Sequence, residues 1–513
     1  MTVSQTAELP ADLTPEHAPP QPAAKLSPRD RTVISVLIVS TFVVILNETT
    51  MAVALPVLLH DLAISASVGQ WLTAGFLLTM SVVIPITGFL IRRVPTRTLF
   101  TTAMVLFSTG TLIAALSPNF AVLLTARVVQ ASGTAIMMPL LMTTVMTLVP
   151  PSRRGAVMGN LSIVISVAPA IGPTVSGLVL DLLSWRFIFW AVLPIALIAL
   201  AIGLRKMSNI GEPVHTPIDI PSVLLSAFGF GGLVYGLSSI GHSAGEASVV
   251  PTWLPFVVGV GGLALFVARQ LLLQRTDSPL LDLRTFRSRT FTVSIVLMGL
   301  MMSALFGTII LLPIYLQQVL LLNPLSVGLL LLPGGLLMGL LGPVVGRLYD
   351  RFGARALLLP GTVAVSLALW STTLFTSTTP VWAVIAFHLT LSLGLAFVFT
   401  PLFTAGLGAV EPKFYSYGSA IFGTLQQLAG AAGVALLVSV YSLQAAQLKT
   451  DGVESAVAQT AGGVHLAFLV AAFISLVAIV GAFFITTPVQ SDDAHGGDAH
   501  SGAAFEDESH PVH

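Results

Sequence analysis

The residue of this chain best placed to do chemistry is a glutamate inside an apolar run. Glu48 follows Asn47 in a stretch that holds no lysine or arginine between Arg31 and Arg92. An ionised carboxylate at the centre of a membrane costs about 2.5–3.5 kcal/mol, so a group of this kind is expected to be functional. Its natural chemistry is proton exchange, because desolvation disfavours the charged form and brings proton uptake near neutral pH within reach. Arg127 is the second such group. A guanidinium within a span is expensive unless paired or wet, so it is expected to face a cavity or a partner helix. Glu48 and Arg127 are therefore the expected proton-coupling residues. His388 offers a proton relay, or a hydrogen bond to a neighbouring helix. Asn47, Trp71, Gln130, Met137, Met138, Met142, Tyr315, Gln318, His388 and Gln426 are the candidate lining of a substrate cavity. Soft thioethers, flat rings and a few amides adapt to varied amphipathic molecules without demanding one hydrogen-bond pattern.

The same inventory excludes several classes. There are no cysteines, which removes disulfides, thiolate catalysis and cysteine metal sites. Neither a Gly-x4-Gly-Lys-[Ser/Thr] loop nor a His-Glu-x-x-His pair is present, which argues against an ATP-driven pump or a membrane metalloenzyme. No catalytic residue, metal or cofactor is expected. The formal net charge of +0 gives no basic face for nucleic acid.

These groups must be held by membrane helices. The chain has 513 residues, 55% hydrophobic and 9% charged, with a mean hydropathy of +0.93, so its solvent is largely lipid. A hydrocarbon core of about 30 Å takes about 20 helical residues. Apolar runs of that length fall at 32–56, 70–91, 98–117, 120–148, 155–180, 186–204, 219–240, 253–273, 290–315, 325–347, 356–376, 381–406, 416–443 and 463–486, which predicts fourteen transmembrane helices. Among the acids, Glu48 alone falls well inside a span; Asp61, Asp181 and Asp350 lie near span ends or in loops. If Met1 is cytoplasmic, Arg186 and Lys449 alone among the 22 basic residues fall outside, with Arg127 at or within helix 4. This strong positive-inside bias predicts that both termini are cytoplasmic. Residues 1–28 read as a disordered tail, rich in Pro and Ala and without the order of a signal peptide. Residues 488–513 read as a second, acidic tail, whose histidines lack metal-ligand spacing.

Two loops repeat a pattern. Gly88-Phe-Leu-Ile-Arg92-Arg93-Val-Pro95-Thr-Arg97 precedes helix 3, and Gly346-Arg347-Leu-Tyr-Asp350-Arg351-Phe-Gly353-Ala-Arg355 precedes helix 11. The second resembles the Gly-x-x-x-Asp-Arg-x-Gly-x-Arg loop of the major facilitator superfamily, in which Asp350, Arg351 and Arg355 would clasp neighbouring helices. The first has Arg92 where that family has Asp and Pro95 where it has Gly, which implies a weakened or differently paired latch. Arg127-Val-Val-Gln130-Ala131-Ser132-Gly133-Thr134-Ala135 is similar to the family's helix 4 motif. Gly159, Ala168, Pro169, Gly172, Pro173, Ser176 and Gly177 resemble its antiporter motif on helix 5, with Gly159, Gly172, Pro173 and Gly177 as gating positions. Asn47-Glu48 through Pro56, Ser184 through Trp190 and Gly418 through Gly430 are similar to the fourteen-helix drug/proton antiporter branch. There, Asn47 stands where the branch has Asp, and Glu48 lies about 100° further round the helix.

The resemblance spans about residues 30 to 487. It implies an all-α membrane protein of major facilitator fold in a 6+2+6 arrangement: a bundle over 29–206, two inserted helices and a basic linker over 207–285, and a bundle over 286–487. It also implies a monomeric, multi-pass plasma-membrane carrier that exports hydrophobic or amphipathic molecules against an entering proton by alternating access. A metabolite exporter or an importer on the same scaffold is the alternative. A channel would need a continuous polar pore, which the nearly uncharged spans do not offer.

Overall fold

A computed structural model of the chain describes residues 26–485, apart from 70, 211–212, 215–216, 241–250 and 252. Both expected tails therefore lie almost wholly outside the described residues. All regular structure among those residues is helical, as lipid requires, because a helix pairs its backbone groups within one segment.

The first six helices are α1 (Pro28–Asp61), α2 (Trp71–Arg93), α3 (Thr96–Ala115), α4 (Phe120–Leu148), α5 and α6 (Arg186–Lys206). α5 comprises Arg154–Ser162 and Ala168–Leu182, on either side of a π-helical turn at Ile163–Val167. Then come α7 (Ile220–Ile240), α8 (Trp253–Leu273) and α9 (Arg289–Ile314). The single helix Pro324–Ser371 has 48 residues, about 72 Å of rise, more than twice a bilayer core. Gly353 breaks it with φ 77° and ψ −179°, so it crosses twice, as α10 (residues 324–352) and α11 (residues 354–371). α12 (Val381–Gly408), α13 (Tyr415–Thr450) and α14 (Ala456–Ala482) complete the chain. Thirteen stretches among the described residues are long and apolar enough to cross a membrane, and the break at Gly353 makes fourteen crossings.

Side-chain caps set many starts. Ser27, Asn119, Ser288, Asn323 and Ser455 each accept from a backbone N–H in the first turn of α1, α4, α9, α10 and α14. α1 is longer at both ends than its apolar run, since capping and packing extend a helix beyond the residues that must lie in oil. Pro169 and Pro173 each remove a backbone donor from α5. The irregularity falls in the π turn at Ile163–Val167, where the carbonyl of Ile165 has no N–H four residues on, at Pro169. The side chain of Pro173 lies outside the described set.

α1 packs on α4, α5 and α6, and α4 packs on α2 and α3. In the second half α12 packs on α9, α10 and α11, and α13 packs on α9 and α14. α7 and α8 pair with each other, and α7 also touches α2 and α13, one helix from each half. The halves meet along two seams, α5 on α10 and α2 on α13. At the end of the molecule that carries Arg92, Arg153 and Arg347, hereafter the basic end, the first seam is backbone against backbone. A Cβ added at Gly155 or Gly159 would strike the carbonyls of Gly346 and Gly342. The seam continues through Val167 on Gly339 and Ala170 on Gly335. The same register would bring Gly177 beside Gly328 at the opposite end, but there both face open space. The seam is thus tight at the basic end, and its close contacts run as far as Ala170 and Gly335.

Candidate functional site

Four helices of the first half build a buried polar cluster. Gly110 on α3 lies against the backbone of Ala126 and Gln130, and Gly133 on α4 lies against Ala103 and Phe107. With no Cβ at either contact, α3 and α4 approach closely, and Thr111 comes within reach of Gln130. Gln130 donates from Nε2 to the Thr111 hydroxyl at 2.8 Å and accepts from Arg127 Nη1 at 2.5 Å. Arg127 is 1% exposed; its guanidinium lies 4.1 Å from the centroid of the Phe76 ring on α2 and donates weakly to Asn47 Oδ1 on α1, at 3.5 Å.

Glu48, past the midpoint of α1, is partly buried and within the electrostatic reach of Arg127. It forms no hydrogen bond or ion pair among the described residues. Asn47 Nδ2 and Arg127 Nε are also buried without a partner. The cluster therefore holds unused donors and a carboxylate whose charge is countered from a distance, an arrangement able to take up a proton or a polar group.

α1 is held to α5 close by. Gly172 accommodates Thr49, and Ser176 donates to the Thr50 carbonyl at 2.9 Å. Met137 and Met142 are buried in the core, and Met138 is partly buried. Across the seam to α13, Gln427 donates to Met80 Sδ at 3.4 Å, and Met80 belongs to the α2 stripe of Phe76, Met80 and Ile84 that runs under Arg127. Gln426 is partly buried one residue away.

Four expected cavity residues lie elsewhere. Trp71 is 41% exposed and stacks on Tyr235 of α7 with centroids 5.6 Å apart, since the inserted hairpin offers it a flat partner. Gln318 is exposed in the π turn Tyr315–Val319 that ends α9. Tyr315 donates to the Thr376 carbonyl at 2.6 Å and stacks on Phe375, which ties it to the α11–α12 connection. His388 bonds through Nε2 to the Leu331 carbonyl of α10 at 3.0 Å, inside the second half.

The basic end supplies the latches. Asp350 accepts from the backbone N–H groups of Gly155 at 2.7 Å and Ala156 at 2.8 Å, placing a carboxylate at the N-terminus of α5, where the helix dipole favours negative charge. Arg351 is exposed over its own neighbour Phe352 and forms no clasp, whereas Arg355 lies over Phe483 at the end of α14 and so reaches a neighbouring helix. In the first loop, Pro95 has φ −51° and cannot adopt the left-handed turn of Gly353. There Arg92 donates to the Tyr417 hydroxyl of α13 at 2.8 Å. Ser162 with Thr400 and Thr143 with Ser419, both at 2.6 Å, add hydrogen bonds between the halves, from α5 to α12 and from α4 to α13.

Phe76, Thr111 and Tyr417 escaped the sequence reading. Phe76 is one of 28 phenylalanines, and nothing local marks the one beneath a cation. Thr111 was signalled only by its neighbour Gly110.

Comparison with known proteins agrees with this geometry. Residues 37–434 match the Major Facilitator Superfamily. The "Lincomycin resistance protein LmrB" of Bacillus subtilis (strain 168) is 40% identical over 455 residues, 88% of this chain and 94% of that protein. Its namesake in Listeria monocytogenes is 41% identical over 458 residues, 88% of this chain and 96% of that one. Among solved structures, the human organic anion transporter MFSD10 aligns with a TM-score of 0.62 at 17% identity, covering 89% of this chain and 100% of that chain. The proton:xylose symporter XylE aligns at 0.58 and 14%, covering 90% and 97%.

Proposed function

The chain belongs to the major facilitator superfamily, as a multi-pass cell-membrane transporter, and from that membership we propose that it exports hydrophobic or amphipathic drugs in exchange for protons. The observation that carries the proposal is the placement of Glu48, partly buried in mid-helix and facing the field of Arg127 without an ion pair. With the positive-inside rule the basic end is cytoplasmic, as are both termini, so the tight end of the α5–α10 seam faces inward. A proton entering from outside neutralises Glu48 and weakens its attraction to Arg127. The α1–α4 contact then relaxes, and the two halves rock about the seams to expose the site inward. Drug binding from the inside displaces the proton, and the carrier resets. A single chain supplies both halves, so a monomer suffices, and the proton gradient is the energy source in place of any cofactor.

The names of the two lincomycin resistance relatives support a drug as cargo and outward transport as direction. The test uses everted vesicles loaded with the chain. An imposed inward-acid gradient should drive accumulation of a labelled drug such as lincomycin. Glu48→Gln should insert normally and abolish that accumulation. Undiminished accumulation by the variant would remove Glu48 from the mechanism, and gradient-driven loss of drug would reverse the direction.

A further inference from the structure

The family places an acid where this chain has Arg92, yet the seam between α2 and α13 is closed. What replaces the acid is visible in the linkers that flank the inserted hairpin α7–α8. The segment before α7 lies on the first loop: Val214 donates its N–H to the Arg92 carbonyl at 2.8 Å, and Asn209 accepts from the Arg97 N–H at 3.2 Å. The segment after α8 reaches the other side of the same latch, where Tyr417, held by Arg92, donates in turn to the Pro279 carbonyl at 3.3 Å.

Pro279 is held by a chain of buried contacts that leads back into the hairpin. The next two backbone N–H groups, of Leu280 and Leu281, both donate to Gln270 Oε1 on α8, at 2.8 and 3.1 Å. Gln270 Nε2 donates to the Ser222 hydroxyl on α7 at 2.8 Å. Asp219 anchors this end, accepting from Ser222 and making a two-point ion pair with Arg269, both contacts at 2.7 Å. Gln270 and Ser222 are wholly buried and every polar atom of Gln270 is used. Asp282, wholly buried in the same linker, pairs with Arg284 at 2.7 Å, and the Arg284 guanidinium lies over Phe414, which precedes α13. The linker thus carries a fixed carboxylate to the start of α13, where the first loop offers only a cation.

We propose that the α7–α8 hairpin is the working part of the second latch: through Gln270 it fixes the Pro279 carbonyl, which orients Tyr417 to hold Arg92 and closes the basic ends of α2 and α13. Gln270, Tyr417 and Asp282 are then positioning residues for the inward gate. The inference rests on alternating access but not on Glu48 or on the direction of transport.

The chain has no cysteines, so spin labels can be placed at will. One pair at the exposed Thr98→Cys and Glu411→Cys reports the basic end, and a control pair at Ser184→Cys and Ser377→Cys reports the opposite end. Distances are measured by double electron–electron resonance in nanodiscs without drug or gradient, so they do not depend on proton coupling. Tyr417→Phe and Gln270→Leu should each raise the ratio of long to short distances at the basic end by about tenfold, as for losing one hydrogen bond to a charged group. Their combination should add nothing further, because both break one chain. Arg92→Asp, which restores an acid beside α13, should make Gln270→Leu silent. A wild-type distribution in Gln270→Leu, effects that multiply, or an unchanged response in the Arg92→Asp background would each overturn the proposal. If Gln270→Leu does not insert, Ser222→Ala, which removes the anchor of Gln270, is held to the same outcomes.

Discussion

At the scale of single residues, the polar cluster is a set of incomplete contacts. Arg127 has one short hydrogen bond, to Gln130, one long contact, to Asn47, and an aromatic face beneath it. Gln130→Leu removes the short bond and leaves Arg127 with only its long contact to Asn47, while Thr111 keeps its bond to the Phe107 carbonyl. The expected cost is about 2–3 kcal/mol, read as a lower midpoint of thermal unfolding in detergent. Asn47 already faces Arg127, so Asn47→Asp would set an acid within ion-pair reach. Placed on the Glu48→Gln background, it should restore part of the proton-driven accumulation; a double variant as inactive as Glu48→Gln would show that the acid must sit at position 48. The sequence made Glu48 and Arg127 visible because a charge in oil has no bland alternative of equal weight. It did not separate Asn47 and Gln130, which join the cluster, from Trp71, Gln318, Tyr315 and His388, which do not. Each is an ordinary residue on a helix, and only the rotation and depth of that helix decide what it meets.

Among the elements, α5 and α10 make the closest approach between the halves, and their glycines there have a single physical reason. Gly346→Val should force a side chain into the backbone of Gly155, so the basic ends could no longer close. Spin labels at the basic end should report the longer distance throughout, and a wild-type distribution would refute the seam. Asp350→Asn keeps an acceptor at the start of α5 but loses the charge that matches the helix dipole, a cost of about 1 kcal/mol. The open population at the basic end should rise by about fivefold. The helices themselves were legible from hydropathy, because a span has to be apolar for its whole length. The π turns were not, since they answer to where missing donors and packing fall along a ladder. Nor was the partner of Arg92, which lies 325 residues away and was chosen by the fold.

For the whole molecule, the inserted hairpin is fastened by Asp219. Its carboxylate is held down at about 2, chiefly by the hydrogen bond from Arg269, below the ordinary value of 3.8. The sign follows: the clamp is complete above the ordinary value and is lost only as pH falls through about 2. Asp219→Asn should therefore lower the melting midpoint by an amount that stays constant between about pH 5 and 8. A difference that shrinks across that range would show that another group carries the clamp. The division into two halves and a hairpin was available only through the family resemblance, which the repeated loops and the helix motifs carry. The work of the hairpin was not available at all, because it resides in a glutamine and a proline carbonyl that look like any others.

The glycine seam has a consequence for leakage. Where carbonyls of one helix lie directly on the α-carbons of another, no side chain can swing aside to admit a file of water. Without such a file hydrogen ions have no wire along which to hop. The line between α5 and α10 at the basic end is therefore sealed to protons as well as to water, with no moving part needed to seal it.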